Sequence, residues 1–299
     1  MNNTAIINNE NIIDMRDIKE KKAEYKKLRK EFKKQKRIKR TAVELAISLV
    51  LILFAAGAVM LLLIKPYVIN INDLLADEIC MAFTALIGIL INLGFSKVKL
   101  TERVSVKNLD FLSIAMLTVA AYSGPELVDN ISGAILSRFM TVTPNETDPN
   151  TLSYIISAVI CAPLFEELIH RFGFMELTRK HYSAKFVIIF AAFVFTLLHG
   201  YNIQGFLNVF TGAIMMGIVY YYTNNLILTM AEHALHNTIC CITPSDMSIF
   251  GTPIYHDNNG FVLSSPAWIV INAVLFAASA VVFVKYFVPK YMNKSEKAE

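Results

Sequence analysis

Eight apolar runs dominate the chain, near 42–64, 76–96, 109–128, 151–178, 184–200, 205–223, 226–243 and 266–288. A helix rises ~1.5 Å per residue, so ~20 apolar residues cross a hydrocarbon core ~30 Å thick. Most of the runs meet that length. The fifth is short and ends in His199-Gly200, and the fourth is polar near its centre. The pattern predicts an all-α, polytopic membrane protein, a bundle of about eight transmembrane helices. Composition agrees: 55% of the 299 residues are hydrophobic and 17% are charged. That is too apolar for a soluble enzyme of this size, a disordered tail protein or a secreted disulfide scaffold. Cys80, Cys161, Cys240 and Cys241 lie in apolar stretches, where free cysteine behaves as a small hydrophobe.

Charge divides the chain. Residues 1–40 hold 14 Lys+Arg against 6 Asp+Glu, a net +8. They show no early apolar region of a signal peptide and read as a basic cytoplasmic arm. Residues 41–290 form the membrane domain and 291–299 a short tail. Lys97, Lys99, Arg103 and Lys107 follow span two, and Arg179, Lys180 and Lys185 follow span four. The C-terminal end carries Lys285, Lys290, Lys294 and Lys297, while the opposite loops hold Asp73, Asp129, Asp148, Asp246 and Asp257. Basic loops stay cytoplasmic, so eight spans with both termini inside satisfy the pattern. The arm, from Asp17 to Arg40, is expected to be a charged helix or solvated segment attracted to anionic lipid. Asn145-Glu146-Thr147 matches a glycosylation sequon that chance readily supplies.

Ionisable residues inside the apolar runs carry the functional information, because each costs at least ~2.5–3.5 kcal/mol in a bilayer. Span four holds Glu166, Glu167, His170 and Arg171 within six residues. Successive helical residues point ~100° apart, while i and i+4 share a face. Glu167 and Arg171 are therefore expected to pair, which leaves Glu166 for chemistry on the face of His170. The bland alternative places the group at the inner interface, with Arg171 snorkelling to water. Span five ends in Phe195-x-x-x-His199, and span seven carries Glu232-His233-x-x-His236-Asn237. Glu166 and His199 both lie ~20 Å from the cytoplasmic ends of their helices, and His233 only ~12 Å. His233 reaches their level only if its helix tilts or begins deeper.

A deep carboxylate beside a histidine can deprotonate water, and a second histidine with an asparagine amide can donate to a developing oxyanion. Glu166, His199, His233 and Asn237 thus suit hydrolysis of a peptide bond without a covalent intermediate. Metal chemistry competes: Glu166, His199 and His233 could hold a catalytic Zn²⁺, which needs three protein ligands and an open position. The HExxH helix of common zinc proteases is absent, and Asn237 would be an unusual ligand. Two other readings stay open, a membrane scaffold without proteolysis and a proton-coupled transporter. No repeat of broken helices supports the latter.

Glu166-Glu167-x-x-x-Arg171, Phe195-x-x-x-His199 and His233-x-x-x-Asn237, in this order on separate apolar spans, resemble the three motifs of the CPBP family of intramembrane proteases. That family is related to the CAAX prenyl endopeptidases, and its bacterial members include the bacteriocin-processing and immunity (Abi) group. The motif-bearing core covers about 150–240. The resemblance implies an eight-helix bundle with an intramembrane cavity. It implies that Glu166 and His199 activate water, and that His233 and Asn237 form the oxyanion site. Glu167 and Arg171 take supporting places, and Phe195 shapes the site. His170, Glu232 and His236 fall outside the motifs and are expected to pack around it. The partners implied are the lipid bilayer and a membrane-associated peptide or protein substrate, with no nucleic acid. The residue usage, rich in Ile, Lys and Asn, fits a bacterial host, and a peptide-processing or self-immunity role follows from the resemblance alone.

Overall fold

The structure, a computed structural model, describes residues 7–8, 11–12, 15–64, 73–106, 110–144, 151–243 and 253–292, with side chains from residue 18 onward apart from 48–77. Lys107, Asp148, Asp246, Lys294, Lys297 and the Asn145 sequon lie outside the described residues, as do the side chains of most of the first predicted span. The chain divides into two compact units, Met1–Ser48 and Leu49–Glu299.

In the first unit the basic arm is helical. Helix α1 (Met15–Ile64) begins within it, and nearly every residue from Lys19 to Arg40 is exposed. Arg40 Nε meets Glu44 Oε1 at 3.0 Å, an i,i+4 pair on the exposed surface. Tyr25, Leu28 and Phe32 are exposed along it as well.

The second unit holds α2 (Asp73–Phe95), α3 (Phe111–Leu136), α4 (Leu152–Thr178), α5 (Ala184–Leu197), α6 (Ile203–Thr223), α7 (Leu226–Ile242) and α8 (Pro266–Met292). With α1 these make eight helices among the described residues, the number read from the apolar runs. Five of them (α2 from Glu78, α3, α4, α6 and α8) are long and apolar enough to cross a membrane, and α5 and α7 are shorter apolar helices. Only 17–39% of those five spans is buried inside the protein. The rest is an apolar outer surface that water would not tolerate on a monomer and that lipid solvates. A small antiparallel hairpin, Ile254–His256 with Val262–Ser264, precedes α8.

Two boundaries differ from the sequence reading. Helix α3 continues to Leu136, past the polar residues expected to end it, so Asp129 lies in a helix and not in the loop assigned to it. Tertiary partners satisfy those polar groups. Trp268 Nε1 donates to Glu126 (3.2 Å), Ser264 N to Asn130 Oδ1 (2.8 Å) and Gln204 Nε2 to the Asp129 carbonyl (3.0 Å). Helix α8 likewise runs on to Met292, because its last turn has a partner. Lys290 Nζ, Tyr286 and Tyr291 all donate to the Asp110 carboxylate, at 2.7, 3.0 and 3.1 Å. Burial alone would raise the Asp110 pKa. The hydrogen bonds from Lys290, Ser113, Tyr286 and Tyr291 outweigh it and hold the carboxyl well below the usual range.

That cluster belongs to one end of the bundle, which is laced by cations. Glu176, fully buried on α4, accepts from Arg103 Nε (2.8 Å), Arg179 Nη1 (2.9 Å) and the Tyr220 hydroxyl (3.0 Å). Lys180 Nζ donates to the Ser96 carbonyl (2.9 Å), and Arg179 also bonds Asn224 and the Tyr221 carbonyl. Burial would lower the Arg103 pKa, but the Glu176 hydrogen bond and charge more than reverse this. The ends of α2, α4 and α6 and the start of α7 are thereby tied together. At the other end Asn202 donates to the Thr143 carbonyl, Gln204 to that of Val262 and Asn259 to that of Ser137.

Removing one partner of a buried ion pair costs about 3–5 kcal/mol, because the other charge stays buried and unpaired. Glu176→Gln is therefore expected to lower the thermal unfolding midpoint in detergent clearly. Glu102→Gln, on the neighbouring turn, leaves that network whole and should leave the midpoint within error of wild type.

Candidate active site

Helix α4 carries the first motif, and its winding is irregular there. The backbone takes i→i+5 turns over Ser157–Cys161, where the Ala162 N–H reaches the Ser157 carbonyl, and again over Leu168–Met175. Such widened turns recur at functional sites. Between them Ala162–Glu167 is ordinary α-helix and presents Glu166 and Glu167.

The expected ion pair is present. Glu167 Oε2 lies 3.2 Å from Arg171 Nε, and both side chains are fully buried. Arg171 does not snorkel to water. Its guanidinium stands 5.3 Å from the centre of the Phe195 ring, a cation–π contact in an apolar surrounding. Glu166 keeps a partly open carboxylate, at 17% side-chain exposure, and is the one member of the pair of glutamates within reach of a substrate.

His233 lies between the two glutamates. Its Nδ1 is 3.3 Å from Glu167 Oε1 and its Nε2 is 3.8 Å from Glu166 Oε2. The Nδ1 contact is a hydrogen bond to a carboxylate, so Nδ1 donates, whereas the Nε2 contact is too long for one. Its shallow sequence depth is resolved by the start of α7. The N-cap Asn225 is only 5% exposed, bonds the Ser105 carbonyl and caps the Ile227 N–H, while the Leu226 N–H donates to the Arg103 carbonyl. Helix α7 thus begins inside the protein, which moves His233 to the level of Glu166.

His199 lies just past α5, in the short link to α6. Its Nδ1 is 2.8 Å from the Phe195 carbonyl. A carbonyl only accepts, so Nδ1 carries the proton and the neutral ring keeps its Nε2 lone pair free to take one. No hydrogen bond joins His199 to Glu166 among the described residues, so the expected pair shares one site without direct contact. Phe195 is the hub between them: its ring centre is 4.6 Å from that of His199, 5.0 Å from His170 and 6.1 Å from His233. His170, also against Phe174, packs as expected and is buried.

Asn237 is on the same side of α7 as His233, and its Nδ2 donates to the Ala158 carbonyl at 2.6 Å. That carbonyl belongs to the first widened turn of α4. One N–H of the expected oxyanion donor is therefore committed to holding α7 against α4. His236 turns to α3: its ring is 6.1 Å from that of Tyr122, and its Nε2 is 3.6 Å from Cys240 Sγ. Glu232 is 1% exposed, and neither carboxylate oxygen has a hydrogen-bond partner among the described residues.

Among the described residues no three His, Cys, Asp or Glu side chains converge to hold a metal ion, so Glu166, His199 and His233 are not gathered as ligands. Sequence reasoning missed Glu126, inside α3, and Glu78, which accepts from Ser157 beside the Asn237 contact. Both were visible as carboxylates within or at the edge of apolar runs.

Residues 148–239, just under a third of the chain, match the family described as type II CAAX prenyl endopeptidase Rce1-like. The matched stretch holds all three motifs and spans α4 to α7, the helices that build the site. Comparison with curated proteins and with solved structures gives no match. The family so described is one of endopeptidases, and peptide-bond hydrolysis is the chemistry to which this likeness points.

The Glu167–Arg171 pair is expected to be costly to break one member at a time. Arg171→Met should leave Glu167 buried with His233 and Thr229 but no countering guanidinium, and cost about 3–5 kcal/mol. Thermal unfolding in detergent should show the single variant less stable than the double variant Glu167→Leu/Arg171→Met, which buries no unpaired charge. A double variant as unstable as the sum of its singles would contradict the pairing.

Proposed function

We propose that this protein is an intramembrane endopeptidase that cleaves a membrane-associated peptide or protein with water activated by Glu166. The observation that carries the reading is the division of labour between adjacent glutamates. Glu167 is closed off by Arg171 and His233, while Glu166 remains partly open beside the same histidine.

The chemistry then follows. Glu166 takes a proton from water, and the His199 Nε2 lone pair accepts that water's other hydrogen and orients it. The water oxygen bonds to the scissile carbonyl carbon, and the carbonyl π pair moves to oxygen. The pair then returns and the C–N bond breaks. The leaving nitrogen takes the proton held by Glu166, giving a carboxylic acid and an amine and restoring the Glu166 carboxylate. His233 donates to Glu167 and stands beside Glu166, which keeps the two carboxylates in their separate places. The second amide N–H of Asn237 supplies a donor to the oxyanion. Phe195 keeps the imidazoles and Arg171 at fixed spacing.

The orientation we propose puts the cation-laced end, with Lys97, Lys99, Arg103, Arg179, Lys180 and Lys290, at the cytoplasmic face of a cell membrane, together with both termini. The distribution of Lys and Arg supports it. A part in peptide processing or self-immunity rests on the family resemblance alone.

Reconstituted protein should cleave members of a membrane-peptide library. Glu166→Gln is expected to reduce kcat by about 10²–10⁴, the usual worth of a general base, with membrane insertion and thermal midpoint unchanged. Cleavage by this variant at the wild-type rate would overturn Glu166 as the base, and a wild type that cleaves nothing would leave a scaffold as the better account. Because no metal-ligand set is assembled, chelation with EDTA or phenanthroline is expected to leave the wild-type rate intact. A loss restored by Zn²⁺ would reassign His199 and His233 as ligands.

A further inference from the structure

The link between α5 and α6 carries a second polar residue toward the site. Helix α5 ends at Leu197 and α6 is capped by Asn202, whose side chain accepts from the Gly205 N–H at 3.0 Å. Asn202 also donates to the Thr143 carbonyl at 2.9 Å. Between them Gly200 adopts φ +66°, a left-handed conformation that glycine reaches without strain. That turn folds the chain back, so the ring of Tyr201 comes to 5.5 Å from that of His199. The Tyr201 phenol lies within electrostatic range of Glu166 and Tyr154 on α4 and of Cys240 on α7. The residue is 38% exposed, enough for a substrate to meet it. No hydrogen bond engages its hydroxyl among the described residues.

The neighbouring donors are in part engaged. His233 Nδ1 is taken by Glu167, and Asn237 holds the Ala158 carbonyl with one of its two amide hydrogens, which leaves one for the oxyanion. A hydrolytic site needs a donor across the scissile carbonyl from its base, near enough to share the substrate and not bonded to the base itself. The Tyr201 ring stands beside His199 and within electrostatic reach of Glu166, and its hydroxyl is not bonded to the base, so it is free to meet a substrate shared with them. We propose that Tyr201 is a further catalytic residue, whose phenolic O–H donates a hydrogen bond to the oxyanion formed when water adds to the scissile carbonyl. This rests on the reading of Glu166 as the base. No proton is transferred at Tyr201: the O–H bond stays intact, the oxygen charge is stabilised, and the proton taken from water remains on Glu166 until the amine leaves. An ordinary phenol, with a pKa near 10, is a proton-bearing donor throughout the neutral range.

The test uses the full chain in liposomes, with one cleavable membrane peptide and a phosphinate peptide of the same sequence as the tetrahedral mimic. Tyr201→Phe keeps the ring against His199 and removes only the hydroxyl. The expected result is a kcat lower by about 10², a KM within about twofold of wild type, and phosphinate binding weakened by a factor similar to the loss in kcat. Wild-type kcat and phosphinate affinity in Tyr201→Phe would overturn the proposal and leave the base reading standing, provided Glu166→Gln is inactive. A raised KM with unchanged kcat would make Tyr201 a wall of the binding cleft and would also overturn it. Cleavage by Glu166→Gln at the wild-type rate would remove both readings together. So would a wild type that cleaves nothing and binds the phosphinate no better than the parent amide.

Discussion

Carboxylates and guanidinium groups do not belong in hydrocarbon, and most of the site's architecture answers that one constraint. The contact between Glu167 and Arg171 places opposite charges 3.2 Å apart with neither in water. The Arg171 nitrogens have no hydrogen-bond partner among the described residues, so the pair is held by charge and by what packs on it. His233 meets Glu167 from α7, and the face of Phe195 lies beside Arg171 from α5. Three helices therefore converge on one salt bridge. The residues proposed for the chemistry sit beside a pair that fixes where they stand.

The far larger cluster around Glu176 applies the same principle nearer the bundle's end. Two arginines and a tyrosine enclose one carboxylate, and the helix carrying it is the one that carries Glu166 two to three turns away. Helix α4 is thus pinned by a buried charge on each side of its second widened turn. The link bearing Arg103 also accepts the first N–H of α7. One anchor sets the depth of Glu166 and of its histidine partner together.

Much of this was legible in the sequence, for reasons that can be stated. Apolar runs report helices because lipid forces the backbone to satisfy itself, and all eight appear among the described residues. The i,i+4 rule found Glu167–Arg171 although α4 widens just beyond Glu167. What the sequence did not show is tertiary in origin. The end of α3 was drawn too early because Glu126, Asp129 and Asn130 look like a loop until Trp268, Gln204 and Ser264 arrive to satisfy them. The depth of His233 depends on bonds to Arg103 and Ser105, more than a hundred residues away. Asn237 fits its motif, yet its spacing gives no sign that Ala158 engages its amide. Tyr201 belongs to no motif and gains meaning only from the turn at Gly200.

The widened turn at Ser157–Cys161 bears on how such a chain can change through evolution. A loop closed over five residues holds one more residue than the α-helix requires there. Losing one residue there would let the helix close normally and leave the turns beyond it facing as they do now, because a widened turn absorbs its extra residue locally. A single-codon deletion in this stretch would therefore keep Glu166 and Glu167 in their present directions, whereas a deletion in the regular turn just before them would rotate both by about 100°. The widened turn is thus a place where this helix can lose a residue and keep its site.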